Sequence, residues 1–231
     1  MSRVALCAFA LFLASTSASL ADPVFLTRAD YDPALLLPPP PADDSPAAKT
    51  DLAELEQLQA GRTPAQYAHA KSDGEIENPT IFKIAIGDGF DLAALPATAK
   101  LLADVRSDEK DAVSVAKKYF RRNRPWVLDP GLQSCSRGDD PQSSYPSGHS
   151  TMGYSMAVVL ASLMPEKAPA ILARASDFAH SRLVCGVHYR SDIVAGEALG
   201  TAIAVMLLHN PQFKPEYDAA EAELKAAHLA Q

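Results

Sequence analysis

Apolar residues recur at helical spacing along most of the chain, and no stretch of convincing length alternates apolar and polar positions as a half-buried strand does. Helices are predicted at 51–60, from Leu92 to the residues before Pro125, and at 150–164, 167–182, 192–208 and 215–229. Asp51 suits the N-cap of the first. The second has an interruption near Ser107 and ends because proline disfavours helix in the residue before it. The pattern predicts a nearly all-helical single domain.

The N-terminus has the pattern of a secretory signal peptide. Arg3 is followed by a short apolar run and then by small residues up to Ala21. We therefore predict a signal peptide at 1–21, cleaved after Ala21 or, as the alternative, after Ala18. The same pattern makes the predicted location periplasmic or secreted.

The remaining chain divides into an extended, proline-rich lead at 22–50 and a helical domain at 51–231. Four consecutive prolines, Pro38 to Pro41, favour a polyproline conformation, and neighbouring leucines favour docking of the lead on the domain. The one other long apolar stretch, 193–208, is interrupted by Glu197 and is short for a membrane span. We expect no membrane insertion and a soluble mature protein.

Composition and charge limit the classes of molecule that the protein is expected to bind. Of 231 residues, 48% are apolar, which is enough for a sizeable core. The formal net charge is −7, which disfavours nucleic acid and anionic membranes as partners. Cys135 and Cys185 remain after signal removal, and in an oxidising compartment they fit either one disulfide or two buried thiols.

Three short clusters carry candidate chemistry. Lys117 and Arg124, followed by a proline, form the first, and the segment Ser147-Gly148-His149, preceded by a proline, forms the second. The third cluster begins at Ser181 and contains Arg182, His188 and Asp192. Charged side chains are costly to bury without partners, so these residues indicate a wet surface or a site.

The residue types suit phosphoryl transfer. Lys117, Arg124 and Arg182 supply three cations for the charge spread over phosphoryl oxygens. Ser147 adds a hydroxyl group, and Gly148 lets the backbone amides of the following helix approach an anion.

The two histidines suit the covalent part of such a reaction. A neutral histidine nitrogen can attack phosphorus if the other ring nitrogen carries the proton. Asp192, four residues after His188, can accept a hydrogen bond from that proton and fix the tautomer.

The three clusters match, at every position, the tripartite signature of the type 2 phosphatidic acid phosphatase superfamily: Lys-x6-Arg-Pro, Pro-Ser-Gly-His and Ser-Arg-x5-His-x3-Asp. The chain further resembles the class A bacterial non-specific acid phosphatases. Its Leu-Leu-Pro-Pro-Pro-Pro lead, the Ser-Tyr pair before the second motif and Cys-Gly-Val-His-Tyr in the third carry that likeness, which extends over about 35–208.

The resemblance implies an all-α, single-domain helical bundle of the type 2 phosphatidic acid phosphatase and vanadium haloperoxidase kind. It implies that His188 is the nucleophile, Asp192 its orienting partner and His149 the general acid and base. The implied phosphate-binding residues are Lys117, Arg124, Ser147, Gly148 and Arg182. We expect no cofactor and no metal. The implied partners are small phosphomonoesters such as nucleotides, sugar phosphates and aryl phosphates, and the likeness admits a homo-oligomer.

Three other functions compete with this interpretation. A metal hydrolase needs several converging carboxylates, whereas the motifs contain only Asp192, with Asp139 and Asp140 in the preceding loop. A vanadium haloperoxidase would use a similar signature, although those enzymes are usually much longer. A non-catalytic anion-binding protein would not need both His149 and His188. The remaining histidines match no motif and are assigned to structure or surface: His69, His180, His209 and His228.

Overall fold

A computed structural model describes residues 23–138 and 140–231, so the predicted signal peptide and its cleavage site lie outside the described residues. The described residues form α-helices and two short 3-10 turns, without a strand, which confirms the all-helical prediction. The helices are α1 (Pro33–Leu36), α2 (Pro46–Gly61), α3 (Pro64–Gly74), α4 (Lys83–Ile86), α5 (Pro96–Phe120), α6 (Pro125–Leu128), α7 (Gly148–Leu163), α8 (Ala168–Val184), α9 (Arg190–Leu208) and α10 (Lys214–Ala226).

Helix α7 lies at the centre of the bundle and packs against α5, α8 and α9. Its crossing with α9 is close, because a Cβ atom at Gly200 would lie 2.4 Å from the Thr151 carbonyl oxygen, and one at Gly196 would lie 2.7 Å from that of Ser147. Glycine at both positions permits this approach. The crossing brings the starts of the two helices together, and the Ser147 amide donates to the Asp192 carbonyl at 3.0 Å.

Helix α2 begins earlier than predicted. Ser45 is its N-cap and accepts a hydrogen bond from the Ala48 amide, and Pro46 occupies the first turn, where its missing N–H costs nothing. Asp51 is therefore not an N-cap but a buried residue inside the helix. The predicted extended lead at 22–50 accordingly ends at residue 45, and it is not extended throughout, because it contains the short helix α1.

Helix α5 also differs from its prediction. It starts at Pro96 rather than at Leu92 and continues without a break through Ser107 for 25 residues. It ends where Arg121 adopts a left-handed conformation with φ 47°. This turn sends the following chain back toward the core before Pro125 starts α6. The predicted helices at 150–164, 167–182 and 215–229 match α7, α8 and α10 to within three residues at each end.

Helix α3 was not predicted at all. Its sequence is mostly polar and has few buried residues, so apolar periodicity does not reveal it. A capping box between Thr63 and Gln66 starts it, and it packs against α8.

Helix α9 starts at Arg190, three residues before the predicted apolar stretch, and its 19 residues are long and apolar enough to cross a membrane by length and composition. The prediction that this segment is short for a span was therefore wrong. Half of its apolar window is buried, and it packs against α7, as a core helix of a soluble protein does.

The proline-rich lead docks on the domain, as predicted. The amides of Val24 and Leu26 donate to the buried Asp108 carboxylate at 2.9 and 3.2 Å. The Tyr145 hydroxyl donates to the Pro38 carbonyl at 2.7 Å, just before the second motif. Leu37 is buried in the main core.

Cys135 and Cys185 form a disulfide with a Cα–Cα distance of 4.9 Å, and this resolves the alternative of two free thiols in favour of the bond. The Cys135 amide also donates to the Cys185 carbonyl at 2.9 Å. The bond joins the polar loop after α6 to the turn that carries His188. A bond that closes a loop of this size stabilises a fold by about 2–4 kcal/mol.

Candidate active site

The three sequence clusters meet in one cleft with a volume of about 530 Å³. It lies between α5, the loop after α6, the start of α7 and the end of α8. Six of the eight predicted catalytic and phosphate-binding residues line it: Lys117, Arg124, Gly148, His149, Arg182 and His188. The other two, Ser147 and Asp192, lie behind its wall and are fully buried.

His188 is held between a carboxylate and a guanidinium group. Its Nδ1 lies 3.2 Å from Asp192 Oδ2, and its Nε2 lies 2.8 Å from an Nη1 of Arg124. The same Nη1 lies 3.4 Å from Nδ1, so this contact does not choose between the two ring nitrogens. The Asp192 carboxylate does, because it accepts a hydrogen bond and thereby places the ring proton on Nδ1. This tautomer leaves Nε2 unprotonated beside the Arg124 guanidinium group.

Asp192 is held by donors from several elements. Its Oδ1 accepts from Arg122 at 2.6 Å, and its Oδ2 accepts from the Ser144 hydroxyl at 2.6 Å and the Tyr189 amide at 2.9 Å. Burial raises the pKa of Asp192, while Arg122 and the Ser144 hydrogen bond oppose that shift. The carboxylate orients the imidazole of His188 from a fixed position.

Arg122 is a functional residue that the sequence analysis missed. It is 4% exposed, pairs with both Asp192 and Asp51 of α2, and its guanidinium group lies 4.1 Å from the centre of the Tyr189 ring. The Ser191 hydroxyl accepts from Arg122 at 2.6 Å and donates to Asp51. The one sequence signal for Arg122 is its position as a charged residue close to a helix end. Solvent-exposed arginines often occupy the same position, so this signal does not identify a functional residue.

Burial and positive neighbours keep His188 uncharged. The largest effect is desolvation, followed by Arg124, Lys117 and Arg182, and together they hold the pKa of His188 well below its usual value. The imidazole is therefore neutral over the working pH range, as a nucleophile requires.

The cations form a preorganised cradle for an anion. Burial lowers the pKa of Lys117 to about 8 and that of Arg182 to about 10, in both cases with a contribution from Arg124. Buried N–H groups at Arg124 Nε and at Arg182 Nε and Nη1 have no hydrogen-bond partner within the described chain. Unpartnered buried donors are costly, and an anion in the cleft would satisfy them.

Ser147 and Gly148 start α7 at the edge of this cradle. The Ser147 hydroxyl accepts from the Ser150 amide at 3.4 Å and from its hydroxyl at 3.0 Å, so this side chain caps the helix. Its predicted direct phosphate contact stays a prediction. A Cβ atom on Gly148 would lie 3.8 Å from Lys117 Nζ, so the first turn of α7 faces the same anion site as the lysine.

His149 is the second histidine of the cleft, and its ring lies tilted against Phe178 with 5.5 Å between centroids. Its Nε2 donates to the Gly74 carbonyl at 3.2 Å. Burial, followed by the charge of Arg182, lowers the pKa of His149 to about 3. In the ligand-free protein His149 is therefore uncharged at neutral pH.

A bound phosphate dianion should reverse this shift, because an opposite charge nearby raises the pKa of a histidine by about 1–3 units. We expect the NMR titration of His149 to show no protonation above about pH 4 in the free protein. Addition of inorganic phosphate should move its pKa upward by at least about one unit. An unchanged His149 titration in saturating phosphate would contradict its assignment as the acid.

Gly74, the last residue of α3, fixes the position of Arg182. A Cβ atom at Gly74 would lie 2.3 Å from Arg182 Nη1, closer than any real contact. The neighbouring Asp73 accepts from the Ser181 hydroxyl at 2.7 Å and pairs with Arg174 at 2.5 Å, which locks α3 onto α8. An unpredicted helix thus forms one wall of the cleft.

The clash makes Gly74→Ala a test of this wall. Arg182 must move, because its side chain is the flexible partner, so we expect KM for an aryl phosphate to rise about tenfold, roughly the effect of one weakened charged hydrogen bond. The fold should persist. Gly61→Ala at the end of α2 is the matched control, since a Cβ atom there has nothing within 4 Å. Equal kinetics for the two variants would rule out the positioning role.

One cluster of side chains in the described chain has the residue types of a metal site. The ligand atoms of His69, Asp73 and Asp177 lie within 4.8 Å of one another. Arg174 already donates to both of these carboxylates, at 2.7 Å to Asp177, and so occupies this cluster as an ion-pair partner. Asp140 lines the cleft, while Asp139 lies outside the described residues.

A family model described as the PAP2 superfamily matches residues 97–216, just over half of the chain, and contains all three clusters. The chain belongs to the PAP2 superfamily. It is 34% identical to an acid phosphatase of Zymomonas mobilis over 86% of this chain and 78% of the relative. It is 31% identical to a non-specific acid phosphatase of Salmonella typhimurium over 86% of this chain and 82% of the relative.

The fold agrees with that of a solved PAP2 protein. A transmembrane PAP2 type phosphatidylglycerolphosphate phosphatase from Bacillus subtilis superposes with a TM-score of 0.53 over 71% of this chain and 86% of its own. The two are 18% identical, so this likeness concerns the fold alone. The resemblance found in the sequence motifs is thus confirmed, and within the superfamily the chain groups with the acid phosphatases.

Proposed function

We propose that this PAP2 phosphatase hydrolyses soluble phosphomonoesters through a phosphohistidine at His188, without a metal ion. The observation that carries the proposal is the ordered contact of Arg124, His188 and Asp192, in which the carboxylate holds Nδ1 and leaves Nε2 beside the guanidinium group. Arg124 Nη1 also donates to the Val187 carbonyl at 2.8 Å, which fixes the guanidinium group beside the nucleophile.

In the first step His188 Nε2 attacks phosphorus, and the bond from phosphorus to the leaving oxygen breaks with its electron pair on oxygen. Protonated His149 gives its proton to that oxygen, and the alcohol departs. Lys117, Arg124 and Arg182 hold the charge of the phosphoryl oxygens as the geometry changes. Asp192 stabilises the positive charge that the His188 ring acquires.

In the second step water attacks the phosphohistidine, His149 takes a proton from it, and the phosphorus–nitrogen bond breaks to regenerate neutral His188. The products are one alcohol and one phosphate for each ester and water consumed. The substrates proposed are nucleotides, sugar phosphates and aryl phosphates, because the open cleft holds the phosphoryl group and leaves the alcohol part outside.

Export is part of the proposal. The predicted signal peptide and the disulfide between Cys135 and Cys185 support a periplasmic or secreted enzyme. N-terminal sequencing of material from the native host should begin near Asp22, and a mature protein that retains Arg3 would contradict export.

The test of the function compares two activities of the purified protein. Release of phosphate from an aryl phosphate should proceed after dialysis against a strong chelator, and halide oxidation with added vanadate and peroxide should be absent. Loss of phosphatase activity on chelation, restored by one divalent metal, would overturn the metal-free reaction. Halide oxidation without phosphate release would favour a haloperoxidase, and phosphate binding without turnover would favour a non-catalytic protein.

A further inference from the structure

The residues that line the cleft are mostly basic, whereas the chain as a whole is acidic. Among the described residues that line it, two carry carboxylates, Glu77 and Asp140, and seven carry cations: Arg106, Lys110, Lys117, Lys118, Arg121, Arg124 and Arg182. The whole chain has a net charge of −7. Three of the cations form the cradle for the transferred phosphoryl group, so the other four are not needed for that group.

Two of these four already have partners. Arg106 pairs with Glu77 at 2.9 Å and with the buried Glu109. Arg121 donates to the Gln142 side chain across the mouth of the cleft. Lys110 and Lys118 are exposed and make no hydrogen bond or ion pair with any described residue. Outside the cradle and within the described part of the chain, they are the cleft-lining cations without a partner.

Their positions on α5 place them beside the cradle. Lys110, Ser114 and Lys118 recur every four residues and therefore lie along one face of the helix. Lys117 is turned about 100° from Lys118, toward the buried side of the cleft. The face of the rim runs about 12 Å from Lys110 to Lys118, parallel to the wall that holds the phosphoryl group.

We propose that Lys110 and Lys118 form a second anion subsite, which selects phosphomonoesters that carry another phosphate or a similar anionic group on the alcohol part. This inference rests on the proposed function and names its preferred substrate class. Asp140, which also lines the cleft, opposes the two lysines with one charge, so the described part of the rim remains positive. An anion on the leaving group would reach the rim while the ester phosphate lies in the cradle.

Two esters of primary four-carbon alcohols test the subsite: butyl phosphate, and 1,4-butanediol bisphosphate, whose leaving group carries a second phosphate. The ratio of their kcat/KM values is compared in the wild type, in Lys110→Gln/Lys118→Gln and in the matched control Lys49→Gln/Lys83→Gln. Both control lysines are exposed and outside the cleft. Each exposed ion pair contributes roughly a 1.5- to 5-fold effect, so the loss of two should lower the preference for the bisphosphate about 2- to 25-fold in the rim variant.

The control should keep the wild-type preference. If kcat/KM fell equally for both esters in the rim variant, their ratio would be unchanged. This result would show a general attraction of anions and would overturn the subsite.

A binding measurement separates this inference from the proposed function. Calorimetry with 1,4-butanebisphosphonate and butylphosphonate needs no turnover. Tighter binding of the bisphosphonate that depends on Lys110 and Lys118 supports the subsite even if no ester is hydrolysed, in which case the proposed function alone fails. Hydrolysis of both esters with equal binding of both phosphonates overturns the subsite alone.

Discussion

Replacement of His188 by alanine should lower kcat for every phosphate ester by about 10⁴-fold or more, because no other group can form the covalent intermediate. The loss should be the same for alkyl and aryl esters, since both need the nucleophile. Steady-state kinetics with 4-nitrophenyl phosphate and butyl phosphate measure it.

The control for this prediction is His180→Ala, which removes an exposed histidine outside the cleft and should retain full activity. Circular dichroism would verify that the His188→Ala protein is folded. A folded variant that retains more than a few per cent of the wild-type kcat would show that His188 is not the nucleophile.

Replacement of His149 by alanine should separate the substrates by leaving group. General acid catalysis contributes about 10²- to 10⁴-fold, so kcat for butyl phosphate should fall by about 10³-fold. A nitrophenolate departs with little help from a proton, and its burst of release should persist while turnover slows for want of a base. Rapid-mixing absorbance measurements resolve the burst from the steady state. Equal losses for both esters, without a burst, would contradict the assignment of His149 as acid and base.

The contact between the proposed nucleophile and its orienting partner was predictable from sequence spacing. Asp192 lies four residues after His188, and the structure joins their side chains at 3.2 Å. For Cys135 and Cys185 the sequence left one disulfide and two buried thiols as alternatives, and only the fold, which brings residues 50 positions apart together, shows the bond.

The supporting residues were not predictable, because their roles depend on tertiary contacts. Arg122 reaches Asp192 only after the left-handed turn at Arg121 ends α5. Gly74 adjoins Arg182, more than a hundred residues away in the chain, on a polar helix without an apolar pattern. Asp51 resembled an N-cap because it directly precedes the predicted helical pattern of leucines and acids, whereas its ion pair with the buried Arg122 explains its presence.

The apolar pattern predicted a helix correctly where burial in the core determines its position. It misplaced the helix start where capping residues determine it. Helix α7 was predicted from its apolar run, and it is the central helix of the core. The starts of α2 and α5 were misplaced because Pro46 and Pro96 lie in their first turns, a position that proline tolerates and that the apolar pattern does not mark.

The central claim is that phosphate passes through a covalent bond to His188, and the most direct test is to trap that bond. Enzyme mixed with ³²P-labelled aryl phosphate would be quenched at millisecond times in alkali, which preserves phosphohistidine, and the labelled peptide would be mapped. The account predicts label on His188 at Nε2, increased in His149→Ala and absent in His188→Ala. Turnover without any trapped label, or label on another residue, would contradict it.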